Sequence, residues 1–156
     1  MSSSGGSMKR SVQAIPEGYH TVTNYLTVEG VGRLIEFLKR GLGAEQRGPI
    51  HNGPGGRIMH AEVKIGDTII MLGEPMAAGQ ARPSNLYVYV EDVDAVYRRA
   101  MDAGGKSISE PKDQFYGDRT AGVEDPSGNS WYIGTHIEDV SEEEMQRRMA
   151  SMSGKH

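Results

Sequence analysis

No cysteine occurs among the 156 residues, which excludes disulfides, thiolate metal ligands and thiol nucleophiles and fits a reducing compartment. Positive charge is not in excess either. Seventeen Lys and Arg stand against 21 Asp and Glu, a formal net charge of -4, and no basic run interleaves with aromatic residues, which argues against a nucleic-acid groove. No apolar stretch is long enough to span a bilayer or to form the core of a signal peptide. These absences place the protein in the cytoplasm, with neither membrane nor nucleic acid as partner. With 37% hydrophobic and 24% charged residues, the chain reads as one compact domain of two halves.

What is present is a repetition. Tyr25-Leu26-Thr27-Val28-Glu29-Gly30-Val31 returns as Tyr87-Val88-Tyr89-Val90-Glu91-Asp92-Val93, and the same offset of 62 (87 minus 25) carries Gly43 onto Gly105, Arg57 onto Arg119 and Gly66 onto Gly128. A duplicated supersecondary unit predicts a pseudo-twofold pair with any ligand between the copies.

Hydrophobic periodicity supplies the elements. His20 to Val28 alternates as a half-buried strand. Leu34, Ile35, Leu38 and Leu42 recur at helical spacing, with Gly41 and Gly43 as the stop. A short segment near Glu45, turn chemistry from His51 to Gly56, and two strands flanking Gly66-Asp67 complete a βαβββ unit. After a Pro- and Ala-rich linker the order repeats. Asn85 to Val90 is a strand, Asp92 caps a helix ended by Gly104-Gly105, and three strands follow, with Asp125-Pro126-Ser127-Gly128 as the last hairpin turn. Ser141 and Glu144 form a capping box for a short charged helix. The organisation is therefore a leader or tag at 1-16, a first module at 17-76, a linker at 77-84, a second module at 85-138, and a C-terminal helix and tail at 139-156.

Paired βαβββ units, Val-Glu-Asp-Val-Asp at the second helix start and the Glu124-Asp125-Pro126-Ser127-Gly128-Asn129-Ser130-Trp131 hairpin resemble the vicinal oxygen chelate superfamily, the glyoxalase, bleomycin-resistance and dioxygenase fold. His60-Ala61-Glu62-Val63, Gln114-Phe115-Tyr116-Gly117-Asp118-Arg119 and Thr135-His136-Ile137-Glu138-Asp139-Val140 resemble its PhnB-like, glyoxalase-like branch. The resemblance implies an α+β fold in which the two modules form a cup-shaped, mostly antiparallel sheet with helices outside, and a homodimer.

In metal-dependent members four side chains on the first and last strands of each module hold a divalent ion. Those positions fall here at Thr23, Met71, Asn85 and Tyr132, none a good ligand, and their strand neighbours include no His, Glu or Asp. No metal and no other cofactor is expected. His60 and Glu62, two apart on one strand, share a face and form a minimal ligand or acid-base pair; two ligands without a third bind weakly, so hydrogen bonding to neighbours or to a ligand is the stronger reading. Alternation turns Leu26, Val28, Leu86, Val88 and Val90 towards the helices. It lines the cup with Thr23, Tyr25, His60, Met71, Asn85, Tyr87, Tyr89 and Tyr132, an aromatic surface suited to a flat organic ligand. Tyr116 and Arg119 lie near the rim, Arg119 either meeting an anionic ligand group or pairing with Asp118. Trp131 belongs to the core. His20, His51 and His136 carry no assigned chemistry.

Two readings follow. One is a metal-free module binding a small aromatic or amphipathic compound. The other is a glyoxalase-like lyase or isomerase with Glu62 or His60 as base and Tyr87 or Tyr89 as donor to an oxyanion. Whether the protein is an enzyme stays open at this point.

Overall fold

The computed structural model describes residues 12–153. The expected leader falls mostly outside the described residues. The first unit contains β1 (Tyr25–Thr27), α1 (Val31–Leu42), β2 (Glu45–Gln46), β3 (His51–Asn52), β4 (Ile58–Ile65) and β5 (Thr68–Gly73). The second contains β6 (Asn85–Tyr89), α2 (Val93–Asp102), β7 (Lys106–Asp113), β8 (Asp118–Glu124) and β9 (Ser130–His136), and α3 (Glu142–Ser153) closes the chain. The sheet orders are β1-β5-β4-β2, with β3 also on β4, and β6-β9-β8-β7. In each sheet the first strand lies parallel to the last and the remaining pairs are antiparallel.

The two copies are built alike in detail. Tyr25 pairs with Met71 as Tyr87 pairs with Tyr132, and two residues past each partner stands a glycine, Gly73 or Gly134, over which the tyrosine ring lies. A Cβ on Gly73 would meet the Tyr25 hydroxyl at 2.7 Å, and one on Gly134 would meet the Tyr87 hydroxyl at the same distance. The next residue supports the helix start in both units. Glu74 accepts from the Val31 amide at 3.0 Å, and Thr135 Oγ1 accepts from the Val93 amide at 3.0 Å, meeting donors that a helix N-terminus leaves unpaired.

α1 and α2 each cover the sheet face opposite the tyrosines, and α1 also packs on α2. Leu26, Val28, Leu34, Leu38, Val63, Leu72, Val123, Trp131 and Ile133 share one apolar core, each such side chain contributing about 1.5–3 kcal/mol by leaving water. Gly41 is not a stop. It lies inside α1, where a Cβ would come 3.1 Å from Ala100 Cα, so its missing side chain sets the helix crossing, and Gly43 at φ 70° ends the helix. The last hairpin turn is held from inside: Asp125 accepts from the Ser127 and Asn129 amides, Asn129 Nδ2 and Trp131 Nε1 at 2.8–3.0 Å.

Two expectations change. The strand foreseen from His20 is regular only over Tyr25–Thr27, because residues before Asn24 have no neighbouring strand, and Val22 is 82% exposed. His51-Asn52, read as turn, pairs with β4 as a short strand.

Candidate functional site

Alternation along β6 sends Leu86 and Val88 towards the core and Tyr87 and Tyr89 to the opposite face. The two rings tilt at 49° with centroids 5.0 Å apart and stay 44% and 63% exposed. Their hydroxyls do not point to water. Both donate to Oδ2 of Asp118, at 2.7 and 2.8 Å. Asp118 opens β8 and is 2% exposed; its register partner on β9 is His136, whose Nδ1 lies 2.8 Å from Asp118 Oδ1 while Nε2 lies 2.7 Å from Asp139 Oδ1. Tyr116, braced edge-on by Phe115, completes a cavity of about 520 Å³ lined by Tyr87, Tyr89, Tyr116, Asp118 and His136.

The electrostatics follow from these bonds. Burial raises the Asp118 pKa, but hydrogen bonds from His136, Tyr87 and Tyr89 outweigh it and hold the carboxyl below its ordinary value. Tyr87 is raised by burial and then by Asp118, Tyr89 by its bond to Asp118 and then by burial, so both phenols stay neutral. His136 is raised by its bonds to Asp118 and Asp139. The result is a fixed, fully partnered carboxylate beneath two exposed rings.

The first unit carries a different network. The Tyr25 hydroxyl donates to the Met59 carbonyl at 3.3 Å, and its ring lies 5.9 Å from that of His60. His60 Nε2 lies 3.1 Å from Glu62 Oε2. Glu62 Oε1 accepts from the Tyr19 hydroxyl and from Arg47 at 3.1 Å, and the Arg47 guanidinium stands 5.2 Å from the centre of the Tyr19 ring. Burial raises the Glu62 pKa, yet the bonds from Tyr19, His60 and Arg47 bring it below the ordinary value. Met71 lies between Tyr25 and Glu62 across three strands.

A sequence model described as the glyoxalase/bleomycin resistance protein/dioxygenase superfamily matches residues 19–133. The chain belongs to this superfamily. An uncharacterised protein of Mycobacterium tuberculosis H37Rv is 30% identical over 138 residues, covering 81% of this chain and 81% of its own length; one from Mycobacterium bovis is also 30% identical and 90% covered. Among solved structures, TioX from Micromonospora sp. ML1 superposes with TM-score 0.59 at 23% identity over 78% of this chain and 100% of its own. A glyoxalase-related enzyme from Fulvimarina pelagi gives 0.58 at 17% identity, over 74% and 87% respectively. At these identities the structures share the fold.

Against the superfamily's metal-binding pattern, Thr23, Met71, Asn85 and Tyr132 do not fit a divalent ion: they offer a hydroxyl, a thioether, an amide and a phenol. Among the described residues no group of three or more His, Asp or Glu side chains is arranged to hold a metal. His60 and Glu62 are together, as their spacing predicts, but lack a third such ligand. Thr23 precedes β1, and Asn85 pairs with Ser130 at the start of β6, so neither reaches the tyrosine cavity. Tyr132 lies on the tyrosine face beside Gly122.

Arg119 is a correction. It faces the helix side, where Nε and Nη2 bind Asp94 at 2.9 and 3.2 Å and Nη1 binds Asp113 at 2.9 Å; neighbours on a strand point oppositely, so Arg119 turns away when Asp118 turns in. Asp118 is not its ion-pair partner. His136, Asp118, Arg47 and Tyr19 were missed as network members. One of them was readable, because extending the alternation of Tyr132 by two steps twice passes Gly134 and reaches His136 on the tyrosine face.

Proposed function

We propose that this chain binds a small flat aromatic or amphipathic compound on the tyrosine face of its second unit, without a metal. The observation that carries the reading is the pair Tyr87 and Tyr89: with both hydroxyls committed to Asp118, the exposed rings are left to offer their faces. The PhnB-like assignment is part of the same reading, supported by Gln114 to Arg119, which supplies Tyr116 and Asp118 to the cavity. The lyase or isomerase reading needs a base whose pKa lies near the working pH. Glu62 is held low by three donors and Asp118 by three more, so neither carboxylate fits the base that reading needs. No described helix is long and apolar enough to cross a membrane. A cytoplasmic homodimer belongs to the same proposal.

The test is a thermal-shift and calorimetric screen of flat organic compounds, with elemental analysis of tag-free protein. A binder at 100 times its Kd stabilises by about 2.7 kcal/mol, raising Tm by several degrees. That shift should disappear in Tyr89→Ala, whose own Tm falls modestly through loss of the bond to Asp118. Stoichiometric metal, or stabilisation by a divalent ion alone, sinks the metal-free reading.

A further inference from the structure

The tyrosine cavity has an unbalanced charge inventory. Its titratable lining is Tyr87, Tyr89, Tyr116, Asp118 and His136, with Asp139 behind the imidazole, so two carboxylates face one histidine and neither Lys nor Arg lines the cavity. The guanidiniums that adjoin lining residues in the chain, or bond to a residue that does, are already neutralised: Arg119, which follows Asp118, by Asp94 and Asp113 on the far face of β8, and Arg148 of α3, which donates to the Phe115 carbonyl, by Glu138 and Glu144. An anionic ligand would find no free counter-charge. A bare metal ion would have to displace three donors from Asp118, whose oxygens are turned into the protein.

What the cavity does present is ring faces. A phenol that donates a hydrogen bond to a carboxylate becomes more electron-rich, and the negative face of an aromatic ring attracts cations. Tyr87 and Tyr89 are both in that state, tilted at 49° with centroids 5.0 Å apart, and Tyr116 forms a third wall. Resting on the binding reading above, we infer that the ligand is an organic cation, a quaternary ammonium or alkylated amine attached to an apolar body, its charged head held against the faces of Tyr87, Tyr89 and Tyr116. The apolar body covers the ring surface that the ammonium leaves free. The uncompensated carboxylate charge adds a long-range attraction that salt screens.

Isothermal calorimetry on the full chain compares phenyltrimethylammonium with tert-butylbenzene, its neutral isostere, alongside neutral flat aromatics. The cation should bind at least about 10-fold more tightly than the isostere. Tyr89→Leu should abolish that preference, with a modest fall in Tm from the lost bond to Asp118 that Tyr89→Phe shares. Tyr89→Phe, which keeps the ring but loses the bond to Asp118, should retain part of it, about 2- to 5-fold above the isostere. Equal binding of cation and isostere overturns the inference, as does a cation preference that survives Tyr89→Leu. Binding of neutral aromatics without any preference for the cation overturns this inference alone and leaves the aromatic site standing. Absence of binding by both classes overturns both.

Discussion

Asp118 concentrates the chemistry of the second unit. It is buried and accepts from two phenols and one imidazole. In Asp118→Asn the amide keeps one acceptor oxygen and turns an NH2 towards groups that also donate, so the variant should lose about 3 kcal/mol in urea unfolding, with weaker ligand binding. The pH dependence follows from the two shifts. The Asp118 pKa is lowered from 3.8, so its stabilisation is present above that value and is lost as pH falls through the folded pKa. The His136 pKa is raised from 6.5, so its stabilisation is complete below 6.5 and is lost as pH rises through the folded pKa. A neutral imidazole has one N–H and cannot donate to Asp118 and Asp139 together. Melting curves across pH should therefore show an alkaline decline starting above the ordinary histidine value, and His136→Gln should flatten it. A decline of the same size in that variant would show that other groups cause it.

At the scale of elements, two glycines decide where side chains go. Gly41→Val places branched atoms where a Cβ already meets the Ala100 backbone at 3.1 Å; α1 and α2 must separate, at a cost of about 1–3 kcal/mol or more, read as a lower Tm. Gly134→Ala acts differently, since its Cβ meets the mobile end of a side chain, the Tyr87 ring at 2.7–3.0 Å. The ring should swing off Asp118, weakening ligand binding about 10-fold by loss of one wall, with a smaller change in Tm. Helix limits were legible to within a few residues because Leu34, Ile35 and Leu38 repeat at helical spacing and Gly43 and Asp92 carry the end signals. The length of β1 was not legible, because an alternating segment becomes a strand only where a neighbour offers hydrogen bonds, and β5 ends its pairing at Tyr25.

For the whole molecule, the helices lie against each other and the tyrosine faces of both sheets are turned away from the shared core. β1 and β6 are each terminal in their sheets, and Tyr25, Tyr87, Tyr89 and Val22 are exposed beside those edges. Open edges next to exposed rings favour association with a second copy. The protein should sediment as a dimer, and Val22→Asp should shift it towards monomer; a monomeric wild-type chain at micromolar concentration removes the homodimer from the proposal.

The amino-acid sequence by itself determined the duplication, the α+β class, the order of the longer elements and the inward and outward faces of the strand carrying Tyr87 and Tyr89, since these depend on periods of 2 and 3.6 and on local turn chemistry. It also brought His60 to Glu62 and Tyr87 to Tyr89, which are two apart on one strand. Only the tertiary structure decided which carboxylate meets which donor. Asp118 reaches His136 through an antiparallel register and Tyr87 through a strand from 31 residues earlier, and Arg119 reaches Asp94 on a helix. Such pairings depend on which strands become neighbours, and no local pattern encodes that choice.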